Sequence, residues 1–219
     1  MDLLLSSTVF DWHGLIVRMA KNRFYWLVAG GLIALASVFL SLAVKEPARF
    51  NGSLIAPAQL APEFVLLDQN GSIIHPGDFS GRIVLLYFGY TACSDICPAT
   101  LSDMKRVKEN LGKPGDEVAL VFITLDPRRD TRDRLSKYLS GFDAGITGLS
   151  GQEDILASVW QAYGISRTII GDESGNDYQL EHTTRLFIID KAGNLRLTYP
   201  FGFPVNLIVD DVRLLLRES

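Results

Sequence analysis

A chain of 219 residues is long enough for one ordinary domain, which commonly runs ~100–150 residues, plus an appendage. Of its net charge of −4, the segment Met1–Arg23 carries +1, which leaves −5 for the remainder. That remainder has no basic stripe and no run of Lys and Arg, which argues against nucleic acid as a partner.

The appendage begins with a short N-terminal segment, residues 1–23, and continues as the run FYWLVAGGLIALASVFLSLAV, Phe24–Val44, which is 21 residues without a charge. At a helical rise of about 1.5 Å per residue this is roughly 31 Å, close to the hydrocarbon thickness of a bilayer. Phe24, Tyr25 and Trp26 stand at one end, where amphipathic rings favour the headgroup level. A cleaved signal peptide would have an apolar region of only about 7–15 residues, and no small-x-small cleavage site follows the run. A buried core helix fits 21 unbroken uncharged residues poorly. The run reads as a single transmembrane anchor. Arg18, Lys21 and Arg23 before it outnumber Lys45 and Arg49 after it, which inclines the N-terminus to the cytoplasm.

Residues 45–62, KEPARFNGSLIAPAQLAP, read as a tether, with three prolines, one glycine and no helical period. The folded domain is expected over 63–219. It opens with a short strand at Phe64–Leu67, a turn at Asp68–Gly71 and a return through Ser72–Ile74. Ile83–Phe88 (IVLLYF) and Val118–Leu125 (VALVFITL) are continuous apolar runs, as expected of strands covered on both faces. Helices are expected at Pro98–Leu111, Arg132–Ser140 and Gln152–Tyr163. A strand hairpin follows at Leu186–Ile189 and Leu195–Tyr199, and an amphipathic helix closes the chain at Val205–Arg217. This alternation predicts an α/β fold: a thioredoxin-like mixed sheet flanked by helices, with an added N-terminal β-hairpin and one transmembrane helix ahead of it.

Both cysteines lie in the stretch YTACSDICPATL, Tyr90–Leu101. Cys93 follows a buried strand, and Pro98 suits the first turn of the next helix. The pair therefore sits at the carboxyl edge of the sheet, where open α/β sheets place ligands and where a helix N-terminus lowers thiolate pKa. A separation of four residues brings two α-carbons to roughly 6 Å in a helix, inside the range a disulfide accepts. The same separation lets two thiolates converge on one soft ion. Spacing permits both chemistries.

Of three histidines, His13 precedes the apolar run, His75 falls in the N-terminal hairpin, and His182 lies in QLEHTTR just ahead of the strand at Leu186. In a thioredoxin-like sheet that loop approaches the cysteine loop. A thioredoxin oxidoreductase carries a cis-proline there, but no proline stands between Pro127 and Pro200. Two thiolates and an imidazole form a trigonal set. Such a set favours Cu(I), whereas Zn(II) usually demands a fourth ligand.

The stretch YFGYTACSDICPATL, together with FITLDPRRDT, the Asp177-Tyr178…Glu181-His182 loop and LFIIDKAG, closely resembles the Sco/SenC family over roughly Glu63–Ser219. These are membrane-anchored copper proteins that assist assembly of cytochrome c oxidase. The resemblance implies Cys93, Cys97 and His182 as copper ligands, with Cu(I) as cargo and Cu(II) as a second state. It also implies oxidase subunit II and other copper chaperones as partners. Two departures stand out: Ala92 and Ser94 replace the histidine and proline that often flank the first cysteine. Residues 1–23 lack the Arg- and Ser-rich, acid-poor character of a mitochondrial transit peptide, so a bacterial inner membrane with a periplasmic domain is expected.

Competing readings remain at this level. Two cysteines in an exported domain most often form a structural disulfide, although so short a loop gains little chain-entropy stabilisation. A dedicated thiol–disulfide oxidoreductase acting on the acceptor's cysteines is the main alternative. A thiol peroxidase is a third reading, without a peroxide-activating motif. Asp126 reads equally as a turn residue or a neighbour of the copper site. Asp130 or Thr131 is expected to cap the helix at Arg132. Asp95, Arg128, Arg129, Arg132 and Arg134 read as solvated surface.

Overall fold

The computed structural model describes residues 25–35, 37, 49–172, 175 and 177–218. The chain divides into two compact units, Met1–Ala48 and Arg49–Ser219. In the first, residues 25–35 and 37 are helical. Among the described residues no helix is long and apolar enough to cross a membrane. Residues 24, 36 and 38–44 of the expected anchor lie outside the described residues.

The second unit is built on an eight-stranded mixed sheet. Its strands are β1 (Ser53–Leu60), β2 (Leu66–Asp68), β3 (Ile73–Ile74), β4 (Ile83–Gly89), β5 (Val118–Thr124), β6 (Ile146–Ser150), β9 (Arg185–Ile189) and β10 (Asn194–Pro200), in the spatial order β1-β10-β9-β4-β5-β6-β2-β3. Strands β7 (Arg167–Ile170) and β8 (Gln179–His182) pair only with each other. The central pair β4–β5 runs parallel, with Ile83 opposite Val118 and Gly89 opposite Thr124. Every residue of both strands is buried, which is why their sequences are continuously apolar rather than alternating. The hairpin β9–β10 adds antiparallel to β4, and β2–β3 adds at the far edge through β6. A central sheet flanked by helices, with this order, is the thioredoxin-like arrangement expected.

Four helices complete the unit: α1 (Ile96–Leu111), α2 (Arg132–Ser140), α3 (Glu153–Ala162) and α4 (Val205–Arg217). Helix α1 buries Cys97, Leu101, Met104, Val107 and Leu111, the three- and four-residue spacing of one helical face, and packs against α4. It begins at Ile96, two residues before the expected start. Pro98 remains within the first turn, where its missing N–H is not needed. Thr131 caps α2, its side chain accepting from Arg134 N.

Four expectations need correction. The tether over 45–62 is in part a strand: β1 pairs antiparallel with β10, Leu54 opposite Leu197 and Leu60 opposite Asn194. Its start is held by Asp211, which is fully buried in α4. Asp211 accepts hydrogen bonds from the backbone N–H of Asn51 (2.9 Å) and Gly52 (2.9 Å) and from the Tyr199 hydroxyl (2.8 Å). Strand β6 was not expected, because ITGLS carries a glycine and too few strand formers to stand out. His182 does not lie in a loop; it ends β8, opposite Arg167. Arg129 is not solvated, since it is 9 % exposed and forms a buried ion pair with Asp126.

Candidate metal centre

The centre lies where β4 runs out. The chain turns through Tyr90–Asp95, exposes Ser94 and Asp95, and enters α1 with Cys97 wholly buried. Gly89, the last residue of β4, is required by the space available. A Cβ there would lie 2.9 Å from ring carbons of Tyr87 and Phe122 and 3.0 Å from Cys97 Sγ. The absent side chain lets the helix carry its sulfur against the strand.

Cys93 is half-buried and Cys97 fully buried, and neither is in a disulfide. The N–H of Cys97 donates to Cys93 Sγ at 3.4 Å. From the core side, the Tyr87 hydroxyl donates to Cys97 Sγ at 3.6 Å. His182 Nε2 approaches Cys97 Sγ to 3.9 Å. The opposite ring nitrogen, Nδ1, lies 2.9 Å from the Thr183 carbonyl. A carbonyl only accepts, so Nδ1 carries the proton and Nε2 presents its lone pair to the sulfurs. The imidazole is packed edge-on by Tyr90, with ring centroids 5.9 Å apart.

The two thiols are electrostatically unequal. Cys93 is held down to about 5, chiefly because the Cys97 thiol donates to it, with the N–H groups of Cys97 and Asp95 adding to the effect. Cys97 is pushed strongly up by being that donor and by its burial. Burial also lowers His182. The metal-free site therefore holds one thiolate, one thiol and a neutral imidazole at neutral pH.

The structure thus brings Cys93, Cys97 and His182 into one place, beneath an open groove lined by Tyr90, Ser94, Asp95, Gln179 and Glu181. Among the described residues no three His, Cys, Asp or Glu side chains already form a group that could hold a metal ion; the three donors are neighbours in the fold, linked by the Cys97 contacts to Cys93 and to His182. Two sulfurs and one neutral nitrogen suit a soft ion.

The sequence leaves Asp126 open between a turn residue and a neighbour of the site, and makes Asp130 a candidate helix cap; it does not foretell their burial or their bonding partners. Asp126 and Asp130 are both buried. Asp130 accepts from the hydroxyls of Thr124 (2.6 Å) and Thr91 (2.5 Å), tying the end of β5 to the cysteine loop, and burial raises its pKa. Asp126 pairs with Arg129 and accepts from the Tyr178 hydroxyl at 2.7 Å. The one local signal was an acid three residues before a base, a spacing equally common on exposed turns.

A thioredoxin-like sheet carrying two unequal thiols and an imidazole at its carboxyl edge defines a dithiol–imidazole domain of that fold. The SCO1/SenC family model matches residues 53–217, and the chain belongs to that family. A SCO2-like protein of Rickettsia felis is 32 % identical over 172 residues, covering 76 % of this chain and 84 % of the relative. The copper-bound structure of Bradyrhizobium japonicum ScoI is 31 % identical, with a TM-score of 0.66 over 72 % of this chain and 100 % of that one. Copper-bound yeast Sco1 is 28 % identical, with a TM-score of 0.67 over 74 % of this chain and 90 % of that one.

Proposed function

We propose that this chain is a copper metallochaperone. A single-pass anchor at Phe24–Val44 holds it in a bacterial inner membrane with the domain in the periplasm. The domain takes Cu(I) on Cys93, Cys97 and His182 and passes it on during assembly of the binuclear copper site of cytochrome c oxidase subunit II. The observation that carries this reading is the 3.9 Å approach of His182 Nε2 to Cys97 Sγ, beside a second sulfur at the same helix N-terminus. The copper held by the bradyrhizobial and yeast relatives supports it, and the uncharged run supports the anchor.

Cys93 arrives as a thiolate, Cys97 gives up its proton on binding, and His182 needs no proton change. The same donors accept Cu(II) as a second state. Chelator competition on the reduced chain should give one Cu(I) per chain, weakened by His182→Ala and by Cys93→Ser. Variants that bind as tightly as the parent would show the ligand assignment to be wrong.

A second reading, a dedicated dithiol reductase, is favoured by the inequality of the thiols: an accessible thiolate at Cys93 and a protonated, buried partner at Cys97. Cys93 Sγ would attack an acceptor disulfide and release one acceptor thiolate, which takes a proton. Cys97, losing its proton, would then attack Cys93 Sγ and release the second, leaving a Cys93–Cys97 disulfide and two electrons transferred. Failure of the metal-free chain to reduce an oxidised acceptor peptide removes this reading. The disulfide has no thiolate for copper, so the two activities exclude each other at any instant.

A further inference from the structure

The hairpin β7–β8 that carries His182 belongs to no larger sheet among the described residues. Backbone pairing to the main sheet therefore does not set the distance from His182 to Cys97. Side-chain ties from the loop after β5 hold it instead. We infer that Arg129 is a positioning residue for His182, an inference that rests on the copper-site reading above.

Residues two apart on a strand share a face, so Leu180 and His182 of β8 point the same way, and Tyr178 stands one residue ahead of the strand. Tyr178 and Leu180 are buried and His182 is half-buried. Arg129 grips the first of the three. Its Nη1 donates to the Tyr178 carbonyl at 2.8 Å, and its guanidinium carbon lies 3.6 Å from the Tyr178 ring centroid. Its Nε pairs with Asp126, and Asp126 in turn accepts the Tyr178 hydroxyl at 2.7 Å. One buried ion pair thus holds Tyr178 by its carbonyl, its ring and its hydroxyl.

The same guanidinium lies 5.8 Å from the Tyr90 ring centroid. Tyr90 donates to Gln179 Oε1 (3.0 Å), accepts from Leu180 N–H (3.3 Å) and packs edge-on against the His182 ring. Two routes, through β8 and through Tyr90, therefore lead from Arg129 to the imidazole. Fixing Tyr178 fixes both the slide of β8 and the face it presents, because a slip by one residue would bring Glu181 to the sulfurs in place of His182. Arg167 on β7 holds the other strand independently, with its Nη1 bonded to the Leu125 carbonyl and its guanidinium 4.6 Å from the Trp160 ring. Loss of the Arg129 tie should loosen β8 without unfolding the domain.

Arg129→Lys keeps a charge for Asp126 but loses the fork and the stacked plane. Arg129→Met combined with Asp126→Asn removes the tie without leaving a buried unpaired charge. On the full chain in detergent, each should weaken Cu(I) binding by about 10- to 100-fold, the range of lost outer-shell support. On a His182→Ala background the same changes should cost nothing further, since the ligand being positioned is gone. In the metal-free chain the Leu180 and Thr183 amides should exchange faster with deuterium while those of β4 keep their protection. Equal losses with and without His182 overturn the inference, as does unchanged Leu180 exchange or loss of β4 protection in both variants. Faster Leu180 exchange with His182→Ala leaving copper binding intact upholds the tie and sinks the ligand assignment instead.

Discussion

Iodoacetamide labelling of the reduced, metal-free chain should separate the two cysteines by pH. Cys93 is held at about 5 against an ordinary 9.0, first by the Cys97 thiol donating to it, then by the N–H groups of Cys97 and Asp95 and slightly by His182, with burial opposing. A lowered pKa keeps the thiolate present to lower pH: at pH 7 about 99 % of such a group is ionised, against roughly 1 % of an ordinary thiol. The gain in rate is smaller than the gain in thiolate. A Brønsted slope of about 0.4–0.5 makes the less basic thiolate roughly 40- to 100-fold less nucleophilic. The two effects nearly cancel at pH 7 but leave Cys93 about 10- to 20-fold faster than an ordinary thiol at pH 6. The diagnostic is therefore the shape of the profile, which should level off above about pH 6. Buried Cys97, whose pKa is raised, should resist labelling through the neutral range. Cys97→Ala removes the largest cause and should move the Cys93 inflection upward. Both cysteines fall in one tryptic peptide, Ile83–Lys105, so fragmentation of that peptide in the mass spectrometer reads the two sites separately. A Cys93 rate still climbing between pH 8 and pH 9 would refute the reasoning, as would Cys97 reacting first.

Gly89→Ala should place a methyl within 3.0 Å of Cys97 Sγ and closer still to two rings, at a cost of about 1–3 kcal/mol of overpacking. Thermal unfolding should shift down and chelator competition should show weaker Cu(I) binding; no change in either would mean that the strand end has room to give. Asp211→Ala strips acceptors from the Asn51 and Gly52 amides and from the Tyr199 hydroxyl. In urea unfolding the loss should be about 2–4 kcal/mol, and one below about 0.5 kcal/mol, the size of an ordinary surface substitution, would show that β1 does not depend on this anchor.

Strands β4 and β5 were legible because burial on both faces leaves a continuous apolar run, and α1 and α4 because their buried residues recur at helical spacing. Strand β1 was not. Most of its residues are exposed, and its pairing partner, β10, lies more than a hundred residues away in the chain, so no local pattern announces it. Strands β7 and β8 were hidden for a related reason: each has four residues and is stabilised by Arg129, Tyr90 and Arg167 rather than by its own composition. Arg129 was misjudged because charge alone predicts exposure, and only the meeting of Asp126, Arg129 and Tyr178 makes burial tolerable.

The chemistry of the site was written in one dimension. Two cysteines a helical turn apart after a buried strand, and a histidine before a later strand, are types and spacings that survive without coordinates. What the tertiary structure decided is the relation between them. His182 lies 85 residues beyond Cys97, and the inequality of the two thiols comes from which sulfur is covered and which N–H groups point at it. Those are properties of packing across distant segments, and no local pattern of residues carries them.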